Sequence, residues 1–213
     1  MKIPTPLSRE GIVDAALEIT STEGLAGVTM RAIAARFDVT PMALYRHIGD
    51  RDELIRLVAD RIGALVQPDT AADASWDERA RAWARTQRAV LRRYSGLASW
   101  LLDNGPAGPQ AYRLLELLAA ALAAAGFDDA RIARGTALIM SWTFSRIAIE
   151  DNADVRGDER RPNRTKTFVT GLDALDPSTH PISARVGTEF FTLPMHEIFE
   201  TGLDWIIAGL RAG

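Results

Sequence analysis

The 213-residue chain holds no cysteine, so any chemistry it performs must come from nitrogen and oxygen side chains. Disulfides, thiolate metal sites and cysteine nucleophiles are excluded. The three histidines, His47, His180 and His196, are scattered, with no HExxH pair and no glycine-rich phosphate loop beside them. No catalytic set, metal site or cofactor motif is therefore expected, and the chain does not read as an enzyme. One stretch does concentrate donors. Residues 28–54, VTMRAIAARFDVTPMALYRHIGDRDEL, bring Thr29, Arg31, Thr40, Tyr45, Arg46, His47 and Arg51 close together in sequence. Hydroxyl, guanidinium and imidazole groups are what phosphate oxygens and base edges accept from or donate to.

The elements that must position these residues follow from helical spacing. Ser8 can cap a first helix to Glu23, with Ile12, Val13, Ala16 and Leu17 on its apolar face and Gly24 as its stop. Thr29 can cap a second, short helix through Phe37, with Met30, Ile33, Ala34 and Phe37 inward. Thr40 followed by Pro41 is a start signal, because the hydroxyl accepts a backbone N–H and proline at the first position sacrifices no helical bond. That third helix is expected to reach His47, with Leu44 and Ile48 in the core. Gly49 breaks it, and Asp50 with Glu53 opens a fourth helix carrying Leu54, Val58, Ile62 and Leu65, ending before Pro68. Two short helices joined by a tight turn and closed by another make helix-turn-helix geometry, in which the second helix fits the major groove and the first crosses the backbone.

This stretch resembles the TetR family of regulators. The shared pattern is T-M-R, I-A, V-T, the L-Y-R-H of the third helix and D-R-x-x-L opening the next. Asp38 departs from it where the turn usually has glycine, although aspartate tolerates the left-handed conformation. Arg51 replaces the usual lysine. The resemblance implies a DNA interface of Thr29, Met30, Arg31, Thr40, Pro41, Met42, Ala43, Tyr45, Arg46, His47 and Arg51. Tyr45, His47, Thr29 and Arg51 take the positions of phosphate contacts, and Arg31, Pro41, Met42 and Ala43 those of groove readers. Arg31 offers a fork that matches a guanine edge, and Pro41 and Met42 can touch a thymine methyl. Alone, Tyr45 equally reads as a half-buried packing aromatic and Arg31 as a solvated charge.

Beyond the headpiece the chain stays all-α, without internal repeat or alternating strand pattern. Hydrophobic residues at 47% and charged residues at 25% are the proportions of a globular chain that can bury a core. Net charge is −3 and residues 1–66 hold eight Lys/Arg against nine Asp/Glu, so a nucleic-acid face must be local. No apolar run approaches the ~20 residues of a membrane span, and the N-terminus lacks the apolar core of a signal peptide. A cytoplasmic protein without membrane contact is expected. Residues 68–75, PDTAADAS, suit a linker between a DNA-binding domain over 1–67, with its helix-turn-helix at about 29–47, and a second domain over 76–213. Ser75 and Glu78 open a helix to about Tyr94, Gly96–Leu102 a short one before NGPAGP, and residues 110–125 another. A long helix should run from Asp128 to Asn152. Residues 153–181 read as a long mobile loop with a turn near Phe168–Leu172, residues 182–192 as one helix, and Pro194–Leu210 as the last.

The second domain is similar to the tetracycline-repressor branch of the family. Its markers are SW at 75–76, AVLRR at 89–93, GF at 126–127, AIEDN at 148–152 and F-x-x-GL-x-x-II-x-GL at 199–210. The resemblance implies a homodimer in which the helix from 128 and the last helix pair with their symmetry mates, double-stranded operator DNA as one partner and a small-molecule effector as the other. The positions that hold tetracycline in that branch are mostly replaced. Trp83 stands for an asparagine, Gln87 for a phenylalanine, Leu101 for the metal-binding histidine, and Gly105, Leu118 and Trp142 for an arginine, a glutamine and a second histidine, while Glu150 persists. A magnesium-chelated drug needs oxygen or imidazole ligands, which Leu101 does not supply. A pocket bordered by Trp83, Trp100, Leu101, Leu118, Trp142 and Phe144, with Gln87, Arg146 or Glu150 orienting the ligand, suits a largely apolar effector. Alternatively the tryptophans fill core. The implied function is a ligand-responsive regulator, a repressor released from a palindromic operator; a ligand-independent architectural dimer and an activator would share the same headpiece.

Overall fold

Ser8 accepts a hydrogen bond from the Gly11 amide at 3.1 Å and so starts α1, Arg9–Glu23, which Gly24 ends at φ 74°. The computed structural model describes residues 7–105, 108–155, 169–172 and 174–212, and every regular element among them is helical. After a 3₁₀ turn at Leu25–Gly27, the Thr29 hydroxyl accepts from the Ala32 amide at 3.0 Å and opens α2, Met30–Arg36. Asp38 then makes the turn at φ 53°, the left-handed conformation that aspartate tolerates better than most side chains.

The third helix, α3, is a single turn, Pro41–Leu44, and is shorter than its apolar spacing implies. Beyond Leu44 the chain tightens, with the His47 and Ile48 amides both donating to the Leu44 carbonyl at 2.8 and 3.0 Å. The expected hydroxyl cap from Thr40 is also absent, and the Thr40 carbonyl accepts from the Ala43 amide at 2.9 Å instead. In α4, Arg51–Leu65, Asp50 accepts from the Glu53 amide at 2.7 Å as expected. The Glu53 carboxylate reaches one residue further than a capping box, to the Gly49 amide at 2.6 Å. Leu54, Val58 and Ile62 are buried, whereas Leu65 stands exposed.

An irregular stretch at 66–75 leads to α5, Trp76–Leu91, where the Ser75 amide and hydroxyl both donate to Glu78 at 2.7 Å. There follow α6, Leu97–Asn104, α7, Gly108–Ala124, and α8, Asp129–Val155. Residues 156–168 of the expected loop lie outside the described residues, while 169–172 form a helical turn. The single helix expected over 182–192 is two: α9, Pro181–Val186, and α10, Glu189–Thr192, are separated at Gly187, whose φ of 57° an α-helix does not admit. The last helix is α11, Met195–Ala212.

Two apolar clusters hold these helices. The first joins Ile12, Ile33, Leu44, Leu54 and Val58 of α1–α4 to Leu91, Leu97, Ala98 and Ile147 of α5, α6 and α8, so the headpiece rests on the second half of the chain through shared core. The second packs Trp83, Leu118, Leu122, Ile139, Phe199 and Leu203 at the centre of α5, α7, α8 and α11. Among the described residues no helix is long and apolar enough to cross a membrane.

Candidate nucleic-acid interface and ligand cavity

The interface begins with what its residues are not used for. Leu44 and Ile48 are buried, and they anchor α3 so that Thr40, Pro41, Met42, Tyr45 and Arg46 stand exposed, with Ala43 and His47 half-buried between them. Met42 is 72% exposed, an apolar side chain left in water for which the core has no use. Thr29 and Arg31 are exposed at the start of α2 beside a half-buried Met30. Charge pairing separates this face from the flanks. Arg9 is paired with Glu53 at 2.6 Å, Arg36 with Glu18 at 3.0 Å and Arg61 with Glu10 at 3.6 Å, yet no ion pair joins Arg31 or Arg46 among the described residues. Those cations remain available to phosphate or base edges.

Arg51 is placed differently from the other donors. Its guanidinium donates to the carbonyls of Val28 at 2.7 Å and Leu25 at 3.2 Å, tying the start of α4 to the turn before α2. Composition does not disclose two further positioning residues. Arg9 donates to the His47 carbonyl at 3.2 Å and pairs with Glu53, so α1 and α4 together fix the end of the recognition turn. The Gly49 amide, and after it the Arg9 guanidinium, hold the Glu53 carboxyl below the usual carboxylate range.

Behind the headpiece lies a cavity of about 240 Å³. Its walls come from α4 through Ala59 and Gly63, from α5 through Trp83, Gln87 and Leu91, from the α6 end through Leu101 and Gly105, and from α7 and α8 through Leu114 and Phe144. Trp83 and Phe144 meet edge to face with ring centroids 6.3 Å apart, and the indole N–H of Trp83 donates to the Leu114 carbonyl at 2.7 Å.

Of the nine expected pocket residues the cavity brings together Trp83, Gln87, Leu101 and Phe144. The other five serve elsewhere. Leu118 is buried in the second cluster, and Trp100 packs half-buried toward the headpiece with Arg56 over its ring at 6.0 Å. Trp142 lies against α11, its indole donating to the Phe199 carbonyl at 3.0 Å and its ring lying on Gly202, where an added Cβ would come within 2.0 Å. Arg146 is buried beside it, 3.1 Å from the Met195 sulfur, with its Nε unpartnered. Glu150 is enclosed by Arg88 at 2.9 Å and Arg92 at 3.2 Å, so it neutralises the end of α5 and does not face the cavity. Its neighbour Asp151 pairs with Arg92 at 2.6 Å and accepts from the Gly96 amide at 3.0 Å, while the adjacent Ser95 carbonyl accepts from the Leu25 amide of the headpiece at 2.8 Å. Periodicity could have found the core positions, but not which of two buried faces of α8 borders the space.

Comparison with known proteins covers both halves of the chain. Residues 12–58 match the description "Bacterial regulatory proteins, tetR family", and residues 67–213 match "Tetracyclin repressor-like, C-terminal domain". An HTH-type transcriptional regulator of Saccharopolyspora erythraea is 28% identical over 206 residues, spanning 97% of this chain and 85% of that protein. The HTH-type transcriptional repressor DrrR1 of Streptomyces coeruleorubidus is 28% identical over 216 residues, spanning 98% and 79%. The crystal structure of the TetR family protein ActR of Streptomyces coelicolor in complex with actinorhodin superposes with a TM-score of 0.86 at 28% identity, covering 98% of this chain and 97% of that one. The chain therefore belongs to the TetR family of bacterial regulatory proteins, with a C-terminal domain of the tetracycline-repressor type.

Proposed function

We propose that this protein is a one-component transcriptional repressor, a homodimer that grips a palindromic operator through the α2–α3 faces of both protomers and lets go when a small, largely apolar compound fills the cavity. One observation carries the reading. The cavity wall includes Ala59, Gly63 and Val66 at the end of α4, the helix whose other end holds Asp50 and Arg51 behind the DNA face. A bound compound touches the element that carries the headpiece, which is how a ligand can prefer one headpiece placement over another. Leu101 and Gly105 in the same wall give a chelated metal no ligand, so the effector class differs from magnesium–tetracycline. ActR, a relative of the same fold, is known in complex with actinorhodin and with (S)-DNPA, which supports a small organic effector here. The exposed Leu138 and Ile149 on α8 and Trp205 on α11 support dimerisation through those helices. As an operator binder without a catalytic role, the protein would act in the compartment that holds the DNA.

Selection of tight binders from a randomised double-stranded DNA library tests the reading. The expected result is an inverted repeat whose half-site centres lie one helical turn apart, about 34–36 Å. Enrichment of no consensus, or of single half-sites bound by monomers, would refute it.

A further inference from the structure

Resting on the cavity reading above, the geometry points to Gln87 as the residue that selects the effector, and to a neutral, mainly apolar compound with a hydrogen-bond donor and acceptor side by side as the class selected. Gln87 is only 3% exposed, lines the cavity, and makes no hydrogen bond to another described residue. Its amide atoms are not sealed like the unpartnered Thr136 hydroxyl and Arg146 Nε but open onto the apolar cavity, where they give up most of their water without a protein partner, a cost that a leucine or methionine in the same space would not carry. Trp83 and Leu91, one turn to either side on α5, are apolar residues that also line the cavity, so Gln87 is the exception in its own stripe. The other polar groups of the wall are a donor already spent and an exposed hydroxyl. The Trp83 indole N–H is already given to the Leu114 carbonyl at 2.7 Å, and Ser141 lies on the exposed side of α8.

Among the described residues that line the cavity none carries a charged side chain. Two cations of the flanking helices are committed, Arg88 to Glu150 at 2.9 Å and Arg113 to the carbonyls of Gly63 at 3.0 Å and Val66 at 2.8 Å. An ionised ligand would lose its water and meet no opposite charge, so the site selects against carboxylates and ammonium groups alike. A primary amide presents one carbonyl and one N–H on the same edge, and the complement is another amide, a lactam or a hydroxy-ketone edge. Size narrows the class further. Since an engineered cavity of about 150 Å³ takes one benzene ring, the 240 Å³ here suits roughly two fused rings carrying that polar edge.

Three probes of one skeleton, naphthalene, 2-naphthamide and 2-naphthoate, titrated calorimetrically into the full chain and into Gln87→Met and Gln87→Leu, decide the matter. In the unaltered chain 2-naphthamide should bind about tenfold more tightly than naphthalene, from hydrogen bonds worth roughly 1 kcal/mol each, and 2-naphthoate should bind more weakly than either. Both variants should keep naphthalene binding, which reports an intact cavity, and lose the advantage of the amide. Equal binding of naphthalene and 2-naphthamide, an amide advantage that survives both substitutions, preference for 2-naphthoate, or loss of naphthalene binding in both variants would each overturn the role of Gln87. Failure of all three probes to bind the unaltered chain would instead overturn the cavity reading on which it rests.

Discussion

Arg51 has the side chain of a phosphate contact and the hydrogen bonds of a strut. The family resemblance placed it in the interface, but its partners Val28 and Leu25 lie 23 and 26 positions away, a separation that no local pattern encodes. Asp38 is the opposite case, since a left-handed turn was legible from the tolerance of aspartate alone and the φ of 53° agrees. Thr29 and Thr40 look alike in sequence, yet only Thr29 spends its hydroxyl as a cap. The two arginines should therefore separate by experiment. Arg51→Ala removes a charged donor from two carbonyls and should lower headpiece stability by about 1–3 kcal/mol, read as an earlier midpoint in urea. Arg31→Ala should leave that midpoint unchanged and relax base preference at one operator position by about 1–3 kcal/mol. An unchanged urea midpoint for Arg51→Ala would remove its structural role.

At the scale of elements, most helices were legible, because caps and apolar spacing are local, whereas the direction each face takes is set by neighbours. Trp142 shows this best. Its spacing on α8 marks it as inward-facing, but whether inward means cavity or core depends on Gly202 of α11, which opens just the space its indole fills. The α9–α10 break was missed because an apolar pattern runs across Gly187 while its backbone does not. A second interlocking pair, unreadable from sequence, lies at the cavity rim. Asp60 of α4 accepts from the Gln110 amide near the start of α7 at 2.7 Å, and Arg113 of α7 donates to the last carbonyls of α4, so each helix caps the other. That exchange ties the end of α4 to the start of α7. The helix packing gives its own prediction. Gly202→Ala drives a methyl into the Trp142 ring and should destabilise the fold by about 1–3 kcal/mol, as overpacked cores do. Thermal unfolding of the variant at the same midpoint as the parent would show that α8 and α11 do not meet this closely.

For the whole molecule the informative residues are those left outside. Trp205 is 75% exposed on α11, with Leu138 at 52% and Ile149 at 46% on α8, large apolar groups on helices whose other faces are buried. We propose that these faces of α8 and α11 meet a second copy, which would bring two short α3 turns to one operator. Trp205→Glu should yield monomers at micromolar concentration in analytical ultracentrifugation, with operator affinity lost although each headpiece stays folded. A variant that remains dimeric would move the interface elsewhere.

Regulation requires coupling of the cavity to DNA, because a tightly bound compound with equal affinity for both headpiece placements would regulate nothing. Fluorescence anisotropy of the selected palindrome bound to the full chain, titrated with 2-naphthamide, measures that coupling directly. The predicted result is a loss of operator affinity of about 5- to 150-fold, the range of ordinary allosteric coupling, matched by an equal weakening of the compound when operator is already bound. A compound shown by calorimetry to occupy the cavity while operator affinity stays the same would contradict it.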